Sequence, residues 1–578
     1  MTDVYTGSRP GRPTALLILG GLALAGTLGL ALLQVRGKTA LGPEQQVLPD
    51  TPLYARPPSG WLADRNEPGS FVLPVQRSVQ GRQVWEADRR IHFGHEQLPY
   101  YISPESWLAA NNYADFDPTP ARIGRFDALQ VRPVIWRRWG RGPNDKVERR
   151  FLLRVASLPG GHLLTAVYVP MTDLTIADIS LFDKICESVR FAEPALAISP
   201  EDALKHAGVE WPLDAKHTLA LPALPEVPGV LVGGVDAGIP AWSLGIYRTW
   251  LAADRRPDEL LNDFAAIAWT RWYFASDHLE VRQWRRADGA QVAALRHPNP
   301  ARKRHPVSAV WVVAQSPSAA LIIYAYAEAP HLPAAEQAAE RIIDQIKIAP
   351  LAAIPDPAIA QDQGAEFVKA LTRKGAVPWW GREQVQLEYH GTTAYGREAL
   401  VAERSAVRRD PRLGYQGSLR RHIQNRKWEE RTYWTLGPGA LGYTTESEAY
   451  LADDLRVTVN DRRAPGADTV TRAITLNEIE QQSFEFRPGS YFLAPPVESI
   501  VEAQVAHSED AQWIVEVATV LGRGTHMRLL RALPPDGQGH VRTLLQDDYW
   551  PAGVILAFDD NNDLLYQYTG TSRYERVE

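Results

Sequence analysis

Two closely spaced histidines are the first residues in the sequence that could bind a metal ion. His92 and His95 are separated only by Phe93 and Gly94. On a helix, imidazoles three residues apart share one face and could hold zinc together with a third ligand. Residues 91–93 instead have the character of a strand, and Gly94 favours a bend. We therefore interpret both histidines as core or solvated side chains, and we predict no metal site.

A second candidate is the Asp/Asn-rich segment at residues 559–563, which has the composition of the first part of a calcium-binding loop. Such a loop would continue with glycine at position 564 and end with glutamate at position 570. The sequence has Leu564 and Gly570 at these positions. Because the segment lies between two apolar runs, we interpret it as the turn of a hairpin.

The sequence contains no recognisable nucleophile or phosphate-binding loop. Gly37-Lys38-Thr39 matches the end of such a loop, but Leu32 stands where its first glycine is required. Cys186 lies on the apolar face of a predicted helix, which indicates a small core side chain. We therefore predict no catalytic residue and no cofactor. A glycoside hydrolase with two separated carboxylates remains a remote alternative.

Aromatic and basic residues supply a candidate contact surface. Arginines cluster from Arg404 to Arg431 with Trp428 and Trp434 interleaved near the end, and two tryptophans are adjacent further upstream. Such side chains could bind an anionic polymer, a lipid head group or a sugar ring. Alternating charges on the solvated face of an antiparallel sheet are the more ordinary explanation. The predicted ligand or partner surface consists of Trp379, Trp380, Trp428, Trp434, Arg420 and Arg421.

The composition restricts the class of protein. The chain has 578 residues, with 62 Lys and Arg against 68 Asp and Glu, and a formal net charge of −6. Proteins that bind nucleic acid usually carry a basic excess, so we predict no nucleic-acid partner. A single cysteine excludes an internal disulfide. Most of the 18 tryptophans must be core residues, since few proteins expose that much apolar surface.

The N-terminal region contains an apolar run at residues 14–35 that carries no charge. At about 1.5 Å per residue, a helix of this length would span the roughly 30 Å hydrocarbon core of a bilayer. We therefore expect a transmembrane signal anchor, with the N-terminus in the cytoplasm and the bulk in the periplasm or another extracytoplasmic space. A cleaved signal peptide is the alternative, because Ala23-Leu24-Ala25 has the small-x-small form of a cleavage site.

The same order of elements occurs twice between residues 60 and 348. Each copy has two β-type runs, a one-faced helix and an Ala/Pro-rich stretch that predicts a linker. The strands and helices are expected at 151–158, 163–169 and 176–189, then at 308–314, 320–326 and 335–346, with Asp173 or Thr175 capping the first helix. This repetition predicts tandem α+β modules. The order of elements resembles the PsbP-like family, and that resemblance implies a fold rather than an activity.

After residue 366 the sequence changes to many short alternating runs separated by Gly, Pro and Asn. This pattern predicts a long antiparallel meander with one helix at 496–507. It resembles the half-barrel of LolA-like periplasmic lipoprotein carriers, which implies a curved sheet over an apolar cavity. The many aromatic residues of this region could fill such a half-barrel, so we favour a filled interior with a binding surface outside.

The predicted fold is an α+β multidomain chain with one N-terminal transmembrane helix, two similar α+β antiparallel-sheet modules and a C-terminal half-barrel-like β-rich domain. The boundaries are a tail at 1–13, the transmembrane helix at 14–35, linkers at 36–59, 193–214 and 349–365, modules at 60–192 and 215–348, and the β-rich domain at 366–578.

The predicted function is that of a non-catalytic, membrane-anchored scaffold or interaction protein of a cell-envelope assembly, with protein partners. The alternative is a periplasmic carrier that binds a lipid or lipoprotein through its C-terminal domain. A hydrolase of envelope glycan is the remote alternative.

Overall fold

The computed structural model describes residues 40–48, 51–64, 69–79, 82–97, 103–110, 113–138, 146–158, 162–170, 174–192, 199–212, 217–236, 239–251, 255–265, 281–297, 307–327, 330–351, 356–373, 384–393, 396–410, 414–423, 429–436, 442–452, 455–476, 480–490, 492–493, 498–508, 511–518, 524–569 and 573–576. Packing divides these residues into two compact units. The first is drawn from residues up to 93, 119–154 and 166–194, and the second from residues 94–118, 155–165 and 195 onward.

The N-terminal third of the described chain is mainly β-structure. Its strands are β1 (Gln45–Gln46), β2 (Leu53–Ala55), β3 (Leu62–Ala63), β4 (Ser70–Val79), β5 (Arg82–Gln97), β6 (Thr119–Ile123), β7 (Phe126–Val131), β8 (Val134–Arg138), β9 (Lys146–Arg150), β10 (Leu152–Ser157), β11 (His162–Pro170) and β12 (Arg190–Phe191). Its helices are α1 (Pro104–Ala110), a short 3-10 helix (Ala114–Phe116) and α2 (Ile176–Glu187). Seven strands form one sheet in the order β3-β4-β5-β11-β10-β7-β6.

Helix α2 begins at a capping box. The Thr175 hydroxyl accepts a hydrogen bond from the Asp178 backbone N–H at 3.2 Å, and the Asp178 carboxylate accepts one from the Thr175 N–H at 3.0 Å. The same carboxylate accepts bonds from the Tyr168 hydroxyl and the Arg89 guanidinium, both at 2.7 Å. Thr175 is therefore the cap of this helix, which confirms one of the two predicted residues, and Asp178 also ties the helix to the sheet.

Cys186 lies on the inner face of α2 and is 0% exposed. Burial raises the pKa of its thiol to about 12. A thiol in this environment stays protonated at neutral pH and is a poor nucleophile. The prediction of a core cysteine is confirmed.

The second unit contains another seven-stranded sheet with the same strand order as the first. Its strands are β13 (Val209–Glu210), β14 (His217–Ala220), β15 (Gly229–Asp236), β16 (Ile239–Thr249), β17 (Arg282–Arg285), β18 (Gln291–Arg296), β19 (Ala309–Ser316), β20 (Ala319–Ala327) and β21 (Lys347–Ile348). The sheet runs β14-β15-β16-β20-β19-β18-β17, while β13 pairs with β21. The helices are α3 (Pro200–Ala207), α4 (Pro257–Phe264) and α5 (Leu332–Gln345).

Strand β20 is apolar along its whole length because both of its faces are covered. Leu321 and Ile323 pack in one core with Ile343 of α5. Ile322 and Tyr324 belong to a second core on the opposite face of the sheet. A strand buried on both sides needs a continuous apolar run instead of an alternating one. The sequence at 320–326 is such a run.

The C-terminal region forms one sheet of fifteen strands. They are β22 (Gln384–Thr393), β23 (Gly396–Asp410), β24 (Gly414–Ile423), β25 (Glu429–Leu436), β26 (Tyr443–Ala452), β27 (Leu455–Arg463), β28 (Val470–Leu476), β29 (Glu480–Phe486), β30 (Phe492–Leu493), β31 (Gln512–Ala518), β32 (Thr525–Leu533), β33 (Val541–Asp547), β34 (Trp550–Phe558), β35 (Leu564–Tyr568) and β36 (Arg573–Arg576). Their order is β29-β28-β27-β26-β25-β24-β23-β22-β36-β35-β34-β33-β32-β31-β30, so β36 joins β22 in the middle of the sheet.

The outer face of β32–β35 shares a hydrophobic core with the seven-stranded sheet of the second unit. Leu544 and Ile555 pack in the same cluster as Ile322 and Tyr324. The Tyr324 hydroxyl donates a hydrogen bond to the Tyr549 carbonyl at 2.6 Å. Two regions that were predicted as separate modules are therefore joined by a common core and by buried polar contacts.

Helices α6 (Pro357–Arg373) and α7 (Glu498–Ala506) pack on the fifteen-stranded sheet. Helix α7 matches the predicted helix. Helix α6 begins inside the predicted linker at 349–365, and α3 lies inside the one at 193–214, so both stretches contain a helix that was not predicted.

Helix α6 begins after Asp356, which accepts a hydrogen bond from the Ala358 N–H at 2.9 Å, and proline follows at the first helical position. Gly364 allows α6 to approach β31, since a Cβ there would collide with the Ile514 carbonyl.

The predicted α+β class is wrong, because strands dominate the described chain. The error arises mainly in the two regions predicted as α+β modules, where apolar runs indicated two strands each and the structure has a seven-stranded sheet in each. A strand with one face in solvent needs apolar side chains at no more than every second position, so patterns built on apolar runs underestimate such strands.

No helix among the described residues is long and apolar enough to cross a membrane. The longest of them, α6, has 17 residues and carries charges, whereas a spanning helix needs about 20 mostly apolar residues. This finding contradicts the predicted single-pass membrane protein, its membrane-anchored envelope role and its placement with the N-terminus in the cytoplasm and the bulk in the periplasm. Residues 1–13 and 14–35 lie outside the described residues. The run at 14–35 is long enough and uncharged enough for a membrane span, but these two properties do not establish that it forms a helix.

We predict that Leu544→Ala destabilises the seven-stranded and the fifteen-stranded sheet of the second unit together. The side chain is fully buried in the shared core, so its truncation should cost about 2–5 kcal/mol of unfolding free energy. Urea denaturation followed by far-UV circular dichroism and tryptophan fluorescence should give coincident shifts to lower urea. The control Ile359→Ala removes an exposed side chain of α6 and should change the unfolding free energy by less than about 0.5 kcal/mol. If Leu544→Ala splits the unit into two transitions, the shared core does not couple the sheets.

Candidate functional site

The candidate site is a groove on the outward face of the C-terminal sheet, across strands β24–β27. It has a volume of about 570 Å³, within the roughly 300–1,000 Å³ that is usual for small-ligand sites. The residues that line it are Gln416, Gly417, Ser418, Tyr433, Trp434, Thr435, Thr444, Thr445, Glu446, Asn460, Asp461 and Arg462.

Two rows of cross-strand partners form the outward surface of this groove. Each row takes one residue from each of four adjacent strands. The first row is Ser418, Tyr433, Glu446 and Asn460, and the second is Gln416, Thr435, Thr444 and Arg462. Tyr433 is the one aromatic side chain of the two rows, and it is 55% exposed. The groove therefore combines one aromatic ring with hydroxyl, amide, carboxylate and guanidinium groups.

The intervening residues of the same strands point into the core. Trp434, between Tyr433 and Thr435, is only 7% exposed and packs with Val470 and Val501. Successive side chains of a strand point to opposite faces, so the burial of Trp434 directs its two neighbours outward. The inner core thus fixes the position of the outer groove.

Of the six residues predicted as a contact surface, the three that the structure describes do not all share one face of the sheet. Trp434 is a core residue. Arg420 lies on the outward face, where its Nη1 is 3.5 Å from Glu403 Oε2. Arg421, the next residue, faces inward, where its charge acts on Glu498 of α7. Trp379, Trp380 and Trp428 lie outside the described residues.

A buried ion pair holds the strands beneath the groove. Arg472 of β28 donates to both carboxylate oxygens of Asp461 on β27, at 2.6 and 2.5 Å. The two side chains are 2% and 3% exposed. Asp461 lies between Asn460 and Arg462, so this bidentate contact fixes the strand that presents both of these groove residues.

The inner face also holds a group of charged side chains around Arg528. Its guanidinium is 2.7 Å from Asp547, 3.2 Å from Glu498 and 3.5 Å from Glu502. Burial raises the pKa of Glu498 to about 7, although Arg528 opposes this rise. Burial also disfavours ionisation of Asp547, but Arg528 and His526 hold its pKa well below the usual range. Asp547 therefore stays charged at neutral pH, whereas the raised pKa leaves a substantial fraction of Glu498 protonated at pH 7.

The two histidines singled out in the sequence have different partners. His92 Nδ1 is 3.0 Å from the Ser70 hydroxyl, and His95 Nε2 is 3.0 Å from His162 Nδ1. Burial lowers the pKa of His95 to about 4, so this imidazole is neutral at pH 7. The part of the chain that the structure describes contains no group of three or more His, Cys, Asp or Glu residues that could hold a metal ion.

The Asp/Asn-rich segment is a hairpin turn, as predicted. Asp559 Oδ1 accepts hydrogen bonds from the backbone N–H groups of Asn561 and Asp563, both at 2.9 Å. Asn562 adopts the left-handed conformation with φ of 63°. The carboxylate therefore stabilises the turn itself.

Tyr433, Asn460 and Arg462 line the groove but were not predicted from the sequence. One signal was available, since an inward Trp434 and Leu436 imply an outward Tyr433 and Thr435. The cross-strand register that brings Asn460 into the same row is a long-range property that local patterns do not contain.

Comparisons with known proteins leave the family of this chain open. No family model matches the sequence, and no curated protein matches it. A β-barrel-like protein of the domain of unknown function DUF1849 from Brucella abortus is 11% identical, with a TM-score of 0.24, and covers 33% of this chain and 95% of its own. A protein from Bacteroides thetaiotaomicron is 13% identical, with a TM-score of 0.19, and covers 30% of this chain and 54% of its own. Likenesses this low support no inference about function.

Neither of these two names matches the PsbP-like or LolA-like resemblance, so that resemblance remains a prediction. The two names indicate no catalytic family.

We predict that Arg472→Met destabilises the protein by about 3–5 kcal/mol, because it leaves the Asp461 carboxylate buried without a counter-charge. Replacing both residues, as Arg472→Met with Asp461→Leu, should restore most of the loss. The control Arg487→Met breaks the exposed pair with Asp468 and should cost less than about 1 kcal/mol. Chemical denaturation measures all three. Equal losses for Arg472→Met and Arg487→Met would contradict a structural role for the buried pair.

The raised pKa of Glu498 predicts a pH-dependent stability. Between the ordinary pKa of 4.5 and about 7, the folded state binds a proton that the unfolded state has lost. This carboxyl therefore makes the unfolding free energy fall as pH rises through that range. In Glu498→Gln this slope should disappear, so the variant should gain stability relative to the wild type from pH 5 to pH 8. Urea denaturation at several pH values tests this, with Glu366→Gln, an exposed position, as the control. Parallel curves for wild type and Glu498→Gln would contradict the assignment.

Proposed function

We propose that this protein is a non-catalytic binding protein whose C-terminal sheet contacts a ligand or partner through its outward face. The observation that carries the proposal is the contrast between the two faces of strands β24–β27. The outward face bears an open groove of mixed polar groups around an exposed tyrosine. The inward face is packed against α7.

The packing of the inner face supports a structural role for the interior. Side chains of β25, β26 and β28 form one core with Val501 and Val505 of α7 and with Phe492 and Leu493. On the other side of α7, Ala503 and Ala506 pack against Leu556 and Phe558. The helix therefore fills space between strands that a carrier would keep open for its cargo.

The charges of the inner face also favour a binding function outside over a lipid carrier. Arg528, Asp547, Glu498 and Glu502 converge on this face, with side chains that are 15–25% exposed. An acyl chain inserted beside them would remove their remaining water without offering a hydrogen bond, which is costly for charged groups. The predicted carrier of lipid or lipoprotein thus becomes the competing hypothesis.

Native mass spectrometry of the full chain, purified from its expression host, tests the proposal. The expected spectrum shows the mass of the protein alone, and organic extraction of the same sample should release no stoichiometric lipid. A stoichiometric lipid whose occupancy falls in Val505→Trp, an interior variant, but not in Tyr433→Ala, a groove variant, would overturn the proposal and identify a carrier.

A further inference from the structure

We propose that the groove formed by Tyr433, Asn460 and their row neighbours binds a neutral oligosaccharide. This inference rests on the proposed binding function of the outward face and specifies the chemical class of its ligand. Three features of the groove point to this ligand: its dimensions, the type and balance of its polar groups, and their rigid support.

The dimensions suit a short chain of sugar rings. Adjacent strands lie about 4.8 Å apart, so a row across four strands extends over roughly 14 Å, and the two rows are separated by about 7 Å along the strands. This area matches two to three pyranose rings laid flat. The exposed ring of Tyr433 lies in the first row, between Ser418 and Glu446.

The polar groups match the hydrogen-bonding needs of sugar hydroxyls. A pyranose presents apolar C–H faces and a rim of hydroxyls that both donate and accept. An exposed aromatic ring can pack against the C–H face. The amides of Gln416 and Asn460 each offer a donor and an acceptor. The hydroxyls of Thr435 and Thr444 bond to each other, so the pair together offers one donor and its remaining acceptor sites. Glu446 adds an acceptor and Arg462 a fork of donors.

The charge balance of the rows favours a neutral ligand. Glu446 and Arg462 are the two ionised side chains of the rows, and their charges cancel. A groove for nucleic acid or another polyanion would need a basic excess. A groove for an acyl chain would need walls without hydrogen-bonding groups, whereas ten of the twelve lining residues here carry a hydroxyl, amide or charged group.

The side chains are presented on rigid elements. All eight row residues lie within paired strands, and the hydroxyls of Thr435 and Thr444 are 2.5 Å apart across the β25–β26 pair. Beneath them, Trp434 and the Arg472–Asp461 pair fix the strands from the inner side. A preformed array of donors and acceptors loses little conformational entropy on binding, which suits a ligand that contributes many weak contacts.

The test uses the full chain and an array of neutral oligosaccharides of glucose, mannose, galactose, xylose and N-acetylglucosamine, followed by isothermal titration calorimetry with each array ligand. We expect saturable binding to at least one of them. Tyr433→Ala should weaken this binding by about tenfold or more, because the stacking surface is lost. Tyr433→Phe keeps the ring and should stay within about threefold of the wild type. Asn460→Ala should also weaken binding.

The control is Ser483→Ala on β29, which lies on the same face but outside the groove and should leave binding unchanged. Circular dichroism and the melting temperature must show that each variant is folded. No binding to any of these oligosaccharides at millimolar concentration overturns the inference, as does binding that Tyr433→Ala and Asn460→Ala leave intact. A protein contact that needs Tyr433, without binding of sugar, would overturn the sugar assignment while leaving the proposed binding function in place. A stoichiometric interior lipid would instead overturn that proposed function.

Discussion

The register of strands β25, β26 and β27 determines which side chains face solvent and which form the core. Because side chains alternate along a strand, a slip of one residue would bring Tyr433 inward and expose Trp434. A slip of one residue in β27 would likewise expose the Asp461 carboxylate and bury Asn460 and Arg462. The apolar contacts of Trp434 and the bidentate contact of Asp461 with Arg472 both oppose this slip. The outer groove is therefore a consequence of inner packing.

The same alternation of side chains brings charged groups together on the inner face of the sheet. Arg421, Arg528 and Glu498 belong to different elements, yet all three point to the interior of the C-terminal sheet. The attraction of the two arginines to Glu498 is offset by the loss of water around each charge. Polar groups of this kind contribute more to a unique arrangement of strands and helix than to net stability. The ion pairs of Glu498 and Glu502 with Arg528 connect helix α7 to strand β32.

The sequence was informative wherever a local pattern determines local structure. The strand–turn–strand–helix units, the cap at Thr175, the buried Cys186 and the turn at Asp559 could all be predicted from neighbouring residues. Helices α3 and α6 were missed because alanine and proline suggested linkers, although Ser199 and Asp356 provide helix caps. The membrane anchor was inferred from length and lack of charge alone. The groove escaped prediction because its rows join residues up to 46 positions apart that share no sequence motif.

The pairing of β22 with β36 has a consequence for how the C-terminal sheet is made. Gly391 pairs with Tyr574, about 180 residues later in the chain, and this pair lies in the middle of the sheet. At roughly 5–20 residues per second, a ribosome needs about 10–40 s to synthesise the intervening segment. During that interval β22 has one neighbour, β23, and an open edge that could pair with another chain. Non-local pairing of this kind folds slowly, so this edge stays available to other chains until β36 pairs with β22.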